Sequence, residues 1–306
     1  MLLRLVDGIL ASVFSRMRFE FKWRCFDFPC DRCILFGVLN ITPDSFSDGG
    51  RFTTTEAAVE QAHRLQQNGA DVIDVGGEST RPGATPVSMQ EEMDRVLPVI
   101  RSLKKHLRIP ISIDTTKASV AEAALFEGAE IVNDISGLSA DPRMAGVIAS
   151  SRAGLILMHS RGTPATMQTL CNYQNVVEDV LCELHQRLQV ALDAGILPDR
   201  IAIDPGIGFA KTADQNLALL RNLKTLVSAF DHPMMIGISR KSFLGGEVAT
   251  RGPATLAAEI RAAQQGVHMI RTHDVTSLRQ ALATQMVGLG KRSSDQTTEI
   301  SSRDFS

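Results

Sequence analysis

The chain has 306 residues, 44% of them apolar, and its 32 basic residues nearly balance 34 acidic ones. Such a chain is long enough to bury a sizeable core, and its charge balance argues against nucleic-acid binding as the main activity. No stretch of the sequence reaches the ~20 apolar residues that a membrane span needs. The composition therefore indicates a globular protein whose partners are neither nucleic acids nor membranes.

The first 33 residues precede the repeating part of the sequence, and we expect an N-terminal extension and a lead-in segment there. Arg4, Arg16 and Arg18 on an apolar background are typical of an organellar presequence, whereas Asp7 and Glu20 count against one. We interpret this start as a leader helix or an extended reading frame.

Three cysteines near the start, Cys25, Cys30 and Cys33, have a C-x4-C-x2-C spacing that overlaps that of plant-type iron–sulfur loops. Cys33 opens an apolar run, and the intervening FDFP is not the small, flexible loop that a cluster needs, so we interpret the spacing as accidental. The total of five cysteines is odd and no clear secretory signal precedes them. Both observations favour a reducing compartment, and we expect a cytoplasmic protein.

One pattern occurs eight times between residues 34 and 290. A short apolar run of β-prone residues ends in a polar residue, a loop follows, and a longer helical stretch leads to the next run. The runs are ILFGVLN (34–40), DVIDVGGE (71–78), PISIDT (110–115), EIVNDIS (130–136), GLILMHS (154–160), IAIDPG (201–206), MMIGISRK (234–241) and HMIRTHD (268–274). Near-continuous apolar strands that alternate with helices predict a parallel sheet covered by helices on its outer face.

Eight such units in a single domain, residues 34–290, predict a closed (β/α)8 barrel, also called a TIM barrel. An open nucleotide-binding sheet is the competing fold, but no G-x-G-x-x-G follows the first run. In the first helical stretch, Ala58, Ala62 and Leu65 recur at helical spacing, and Gly69 is placed as a C-terminal cap. The polar tail, residues 291–306, is expected to be disordered.

In barrels of this kind the active site lies at the carboxyl ends of the strands. Capping of the next helix explains any one polar residue there equally well, but repetition on all eight units favours a site. The polar residues at these ends are Asn40, Asp74, Glu78, Asp114, Asn133, Asp134, His159, Asp204, Ser239, Arg240, Lys241, Arg271 and His273.

These side chains fall into two chemical groups. Asp114, Asn133 and Asp204 can read a planar N–C–N edge, since a carboxylate accepts two parallel N–H bonds. The cations or potential cations suit an anion such as a diphosphate; they are Arg81, Arg240, Lys241, Arg271 and His273. A neutral bicyclic heterocycle with a charged leaving group fits both halves.

Eight motifs in order resemble those of dihydropteroate synthase. They are GVLNITPDSFSDGGRF, DVIDVGGESTRPGA, ISIDTTK, IVNDISG, LMHSRGTPATMQ, IDPGIGFAKT, ISRKSFLG and IRTHDV. The resemblance covers residues 34 to 290. It implies that 6-hydroxymethyl-7,8-dihydropterin diphosphate condenses with 4-aminobenzoate, which gives 7,8-dihydropteroate and diphosphate in folate synthesis.

The resemblance also implies roles for individual residues. The pterin would contact Asp114, Asn133, Met158, Asp204 and Lys241. The diphosphate would contact Asn40, Thr80, Arg81, Arg271 and His273, with Asn40 also a ligand of Mg2+. The 4-aminobenzoate would be surrounded by Phe46, Thr80, Pro82, Phe209, Ser239 and Lys241. The catalytic residues would be Asp48, Lys241, Arg271 and His273.

The reaction needs little help from a general base, because an aromatic amine is already neutral near pH 7. C–O cleavage is harder, so we expect a dissociative mechanism in which Arg271, His273 and Mg2+ stabilise the leaving diphosphate. A lid from Thr42 to Gly50 would swing on its two glycines and bring Asp48 toward the charged methylene. His159 and Glu78 are expected to be structural.

Two other functions compete with this one. A pterin-binding methyltransferase that works with a corrinoid protein would share the pterin readers but has no diphosphate to hold. A non-catalytic pterin-binding barrel is the second. MHS, KSFLG, TLAAE and RTHD also resemble sulfonamide-resistant synthases, although GESTRPG and Lys211 are those of ordinary members. We hypothesise a resistance-associated enzyme and, as is usual in the family, a homodimer.

Overall fold

The computed structural model describes residues 17–22, 24–28, 32–42 and 51–288, without the side chains of 51–54 and 285–288. The predicted lid and the predicted disordered tail therefore lie outside the described residues, apart from the start of the lid. Within the described ranges no helix is long and apolar enough to cross a membrane.

Eight parallel strands form the barrel, and each matches one predicted run. They are β3 (Ile34–Asn40), β4 (Val72–Gly76), β5 (Ile111–Asp114), β6 (Ile131–Asp134), β7 (Gly154–Met158), β8 (Ile201–Asp204), β9 (Met235–Ile236) and β10 (Met269–Thr272). Their order in the sheet is β8-β7-β6-β5-β4-β3-β10-β9, and a parallel bridge between Ile203 and Met234 joins its two ends. The predicted (β/α)8 fold is confirmed.

Nine helices lie outside this ring in the described part of the chain. They are α1 (Arg51–Gln67), α2 (Met89–His106), α3 (Ala118–Glu127), α4 (Met144–Ser151), α5 (Val176–Asp193), α6 (Ala213–Arg221), α7 (Leu223–Ser228), α8 (Gly252–Gln264) and α9 (Val275–Gly288). Ala58, Ala62 and Leu65 are buried as the periodicity predicts, and Gly69 follows α1 with φ of +96°. The apolar faces of the helices and the outward side chains of the strands together form the larger hydrophobic core.

Residues 1–16, and with them most of the stretch that we interpreted as a leader helix, lie outside the described residues, whereas residues 17–22 and 24–28 are described. These described residues form two antiparallel strands, β1 (Met17–Phe21) and β2 (Arg24–Phe28). Their buried phenylalanines pack with the first residues of the barrel strands, among them Ile34, Val72 and Met269. The hairpin thus covers the amino-terminal end of the barrel, which leaves the carboxyl end for the site.

Candidate active site

Strand register brings the predicted pterin readers to one level of the barrel. Asn40 aligns with Gly76, Gly76 with Asp114, and Asp114 with Asn133 across three successive strand pairs. On the far side of the ring, Met158 aligns with Asp204. A Cβ at Gly76 would lie 3.7 Å from Asn40 Oδ1 and 3.8 Å from Asp114 Oδ2. These two oxygens therefore border the same space above Gly76.

Arg271 lies between two buried carboxylates. Its Nε donates to Asp74 Oδ2 at 2.5 Å and its Nη2 to Asp114 Oδ2 at 2.8 Å. Asn133 Nδ2 donates to the same Asp74 oxygen at 3.2 Å. The other oxygens, Asp74 Oδ1 and Asn133 Oδ1, are buried and have no hydrogen-bond partner among the described residues. Buried acceptors without partners are costly, so they mark a place where a donor is missing.

Burial dominates the electrostatics of the pterin readers. It raises the pKa of Asp114, although Arg271 opposes the shift, and it raises the pKa of Asp204, although the amide of Gly206 opposes it there. Gly206 N donates to Asp204 Oδ1 at 2.7 Å. For Arg271, burial acts to lower the pKa, but the carboxylates of Asp74 and Asp114 outweigh it and the pKa rises. Arg271 is therefore a permanent cation.

Lys241 and Phe209 form the opposite wall of the site. Lys241 Nζ lies 4.1 Å from the centre of the Phe209 ring and donates a short hydrogen bond to the carbonyl of Ile207. Burial lowers the pKa of Lys241 to about 7, and Asp204 opposes this shift. The close approach needs a glycine, because a Cβ at Gly208, where φ is +86°, would lie 2.5 Å from Lys241 Cδ.

His273 and Ser239 are paired at the ends of β10 and β9. His273 Nδ1 lies 2.9 Å from Ser239 Oγ, and the His273 amide donates to the same oxygen at 3.2 Å. Burial lowers the pKa of His273 to about 3, and Arg271, Arg240 and Arg81 act in the same direction. His273 is therefore neutral near pH 7, and an anion bound among these arginines would raise its pKa again.

The loop between β4 and α2 carries the remaining predicted residues. Thr80 is half-buried, whereas Arg81 and Pro82 are exposed at the rim. The amide of Gly83 donates to Pro164 O at 3.0 Å, which joins this loop to the one after β7. Phe46 and Asp48 lie outside the described residues. The loop after β4 thus lies beside the loop after β7 at the carboxyl end of the barrel.

Comparison with known proteins decides between the families that share such a barrel. The sequence pattern of the pterin binding enzymes matches residues 36–273. A dihydropteroate synthase of Synechocystis is 46% identical over 254 residues, which cover 81% of this chain and 88% of the relative. The chain belongs to the dihydropteroate synthase family. The predicted resemblance is confirmed.

Solved structures of the dihydropteroate synthase family share the fold. The Xanthomonas albilineans dihydropteroate synthase with 4-aminobenzoic acid superposes with a TM-score of 0.83, at 38% identity, and the match covers 90% of this chain and 99% of that one. The same enzyme in complex with 7,8-dihydropteroate has a TM-score of 0.79 at 36% identity, with 89% and 98% covered.

Several polar residues of this family member received no role, or a minor one, from the sequence. In the sequence Asp74 was one of many strand-end acids, yet its carboxylate accepts hydrogen bonds from both Arg271 and Asn133. The sequence feature that could have identified it is a single acid inside the otherwise apolar run VIDVG. Glu78 pairs with Lys117, and His159 is fully buried between Glu183 and Lys211. Both contacts agree with the structural role expected for Glu78 and His159.

Proposed function

We propose that the chain condenses 6-hydroxymethyl-7,8-dihydropterin diphosphate with 4-aminobenzoate, which gives 7,8-dihydropteroate and diphosphate in folate synthesis. The observation that carries this proposal is the buried acid and amide set inside the barrel mouth, with Asp74 Oδ1 and Asn133 Oδ1 unpartnered among the described residues. Related structures bound to 4-aminobenzoic acid and to 7,8-dihydropteroate support the same substrates here.

The pterin would enter between Asn133, Asp114 and Asp204. Its amino and ring N–H groups supply donors to acceptors that otherwise stay unsatisfied at a cost of roughly 1–3 kcal/mol each. Met158 is 3% exposed at the register level of Asp204 and would pack on the ring face. Recognition of the heterocycle is therefore assigned to groups that the barrel already holds in place.

The diphosphate would leave toward Arg271 and His273, with Asn40, Thr80 and Arg81 on the same side. A guanidinium has five N–H donors, and two of its nitrogens hold Asp74 and Asp114. Arg271 can thus bind an anion with its remaining donors while the carboxylates fix its position. Negative charge that grows on the leaving oxygen would then meet a charge already oriented for it.

A magnesium ion fits the donor chemistry beside Asn40. Mg2+ is usually held by one or two protein oxygens together with substrate phosphates. Asn40 Oδ1 is such an oxygen, and it lies at the mouth beside Asp114; the described residues contain no cluster of three or more His, Cys, Asp or Glu that could hold a metal alone. When bound, Mg2+ would neutralise charge on the diphosphate.

The 4-aminobenzoate would lie against Phe209, Pro82 and Thr80, near Ser239 and Lys241. Its amine needs no deprotonation before it attacks, so these groups only position it. The nitrogen loses one proton to water or to the leaving diphosphate once the C–N bond has formed. Lys241 lies over the ring of Phe209 and would face the pterin. Phe46 and Asp48 are proposed to come from the lid, with Asp48 opposite the positive charge that develops on the pterin methylene.

The test is an assay with both substrates and Mg2+ that measures 7,8-dihydropteroate and released diphosphate together. We expect the two products in equal amounts, and no 7,8-dihydropteroate when 4-aminobenzoate is withheld or the metal is removed with a chelator. Binding of the pterin diphosphate without turnover would support a non-catalytic barrel instead. Methyl transfer from a methyl-folate to a corrinoid protein would support the methyltransferase.

Three further proposals accompany this function. We propose that the enzyme works in the cytoplasm as a homodimer, which sedimentation of the purified chain checks. Sulfonamide resistance is proposed from the motifs alone. Growth of a synthase-deficient bacterium that carries this gene, with and without sulfamethoxazole, tests it, and failure to grow with the drug refutes it.

A further inference from the structure

Lys211 is a buried lysine that the proposed reaction does not use. Its side chain lies behind the loop between β8 and α6 and is 3% exposed. Three acceptors surround Nζ: Gly206 O at 3.0 Å, Phe209 O at 2.9 Å and His159 Nδ1 at 3.0 Å. An ammonium has three N–H donors, so each of them has a partner here.

Lys211 supports a loop whose backbone conformation is unusual. Gly206, Gly208 and Ala210 all have positive φ, of +68°, +86° and +49°. A Cβ at Gly206 would lie 1.8 Å from the carbonyl oxygen of His159, so the loop packs directly on the end of β7. Ala210 adopts a conformation that residues with a Cβ rarely take. Lys211 holds the carbonyls on both sides of this turn.

Lys211 belongs to a chain of hydrogen bonds that continues through His159 to Glu183. Burial lowers the pKa of His159 to about 3, with Lys211 acting in the same direction, so the imidazole is neutral. Its Nδ1 accepts from Lys211, and its Nε2 lies 3.1 Å from Glu183 Oε2. Arg161 donates to Glu183 through Nε at 3.0 Å. Burial also lowers the pKa of Lys211, and Asp204 opposes this shift.

The front of the same loop faces the site. Asp204 accepts from Gly206 N, and Lys241 contacts both the Phe209 ring and the Ile207 carbonyl. Two lysines therefore hold one short loop from opposite sides, and only Lys241 can also touch a substrate. Asp204 is also fixed in position because it belongs to β8. Phe209 lies in the loop, and its backbone carbonyl accepts a hydrogen bond from Lys211.

We propose that Lys211 is a positioning residue that sets the place of the Phe209 ring and thereby the affinity for 4-aminobenzoate. This inference rests on the proposed function. It predicts that removal of the ammonium weakens aminobenzoate binding more than pterin binding or turnover, because the pterin readers keep their own strand anchors.

The experiment compares Lys211→Met with Lys224→Met, an exposed lysine on α7 that serves as the matched control. We expect the KM for 4-aminobenzoate to rise about tenfold in Lys211→Met, with kcat and the pterin KM changed less than about threefold. Lys224→Met should match the wild type. Unchanged KM values in Lys211→Met would overturn the proposal.

A double-mutant cycle with Phe209→Ala separates positioning from a general loss of stability. If Lys211 acts through Phe209, Lys211→Met should change the aminobenzoate KM less than about twofold once the ring is gone. A merely structural role would give the same tenfold change in both backgrounds, and that result would also overturn the proposal.

Exchange of the amide hydrogens of residues 206–212 keeps the inference testable without activity. Lys211→Gln retains N–H donors on a shorter side chain and serves if Lys211→Met does not fold. We expect faster exchange in this loop than in the wild type or Lys224→Met, and wild-type exchange would contradict the inference. Absence of product from the wild type itself would refute the proposed function. The exchange result would still show whether Lys211 positions this loop.

Discussion

At the amino-terminal end of the barrel, Phe19, Phe21 and Phe26 from the hairpin are buried among apolar strand residues. At the carboxyl end, the buried side chains include Asp74, Asp114, Asn133 and Asp204. Arg271 pairs with Asp74 and Asp114, and the charge of Lys241 acts on Asp204. Aromatic rings thus fill the amino-terminal end, whereas charged and polar side chains line the carboxyl end.

This difference shows where stability and function reside. Burial of apolar surface contributes roughly 25 cal/mol per Å2, so the hairpin end stabilises the fold. The site end lowers stability, because it holds unpartnered acceptors and carboxylates whose pKa burial raises. Two of the buried acceptors that lack a partner among the described residues, Asp74 Oδ1 and Asn133 Oδ1, lie where a bound ligand would satisfy them.

The largest expected effect is at the apolar end. Phe21 is fully buried, its ring centre 5.5 Å from that of Phe19 and 5.3 Å from that of Phe26. Phe21→Ala should lower the free energy of unfolding by about 3–5 kcal/mol, since it leaves a cavity under the barrel. Urea unfolding measures the loss, and kcat/KM of the folded enzyme should stay within about twofold.

Phe126→Ala is the control for that loss, because Phe126 is 89% exposed on α3. We expect a change within about 0.5 kcal/mol there. An equal loss of unfolding free energy in both variants would contradict the predicted role of Phe21 in stability. Reduced activity in folded Phe21→Ala would contradict the prediction that the amino-terminal end contributes to stability and not to catalysis.

The next effect is at the charged end. Arg271→Ala removes the proposed diphosphate partner, and loss of one such group commonly lowers kcat by ~10²–10³. It also leaves Asp74 and Asp114 as adjacent carboxylates without their shared cation. Steady-state kinetics with saturating substrates measures the change, and near-normal kcat would refute the role of Arg271.

Arg279→Ala is a matched control, since Arg279 also pairs with a buried carboxylate. Its Nη2 lies 2.6 Å from Asp71 Oδ2, away from the site, where Asp71 also accepts from the amide of Leu35. We expect this variant to be less stable than the wild type but to keep kcat within about threefold. Comparable losses of kcat in both arginine variants would mean that the effect of Arg271 is structural.

The same contrast explains what the sequence could predict. The eight barrel strands were predictable because each is a compact apolar run with a polar end, and the strand-end rule found Asn40, Asp114, Asn133 and Asp204. The hairpin was missed, although MRFEF alternates charged and aromatic residues in the way of a strand with one buried face.

Partners far apart in sequence were not predictable. Arg271 meets Asp74 across 197 positions, and only the register of a closed barrel brings them together. Lys211 likewise meets His159 across 52 positions. Residue types at strand ends show what a site can bind, whereas the pairing among them depends on the geometry of the ring.

The smallest expected effect is the pH dependence of pterin binding. Burial raises the pKa of Asp114 and of Asp204, so their carboxylates are lost at a higher pH than ordinary acids. Recognition of the N–C–N edge needs the ionised form, and a charged hydrogen bond contributes roughly 1.5–3 kcal/mol. Between pH 8 and pH 6, the Kd of 6-hydroxymethylpterin should therefore rise about tenfold.

This pterin has no diphosphate, so only the protein and the ring titrate. Asp114→Asn should bind this pterin more weakly at pH 8, and its Kd should depend less on pH than that of the wild type.

The stability of the fold should change with pH in the opposite direction, because a carboxyl whose pKa is higher in the folded state binds its proton more tightly there. Asp114 thus destabilises the fold as pH rises from its unfolded pKa toward its folded one, while binding strengthens. Urea unfolding of wild type and Asp114→Asn at both pH values measures this; a pH response of stability that is equal in the two would exclude Asp114 as its source.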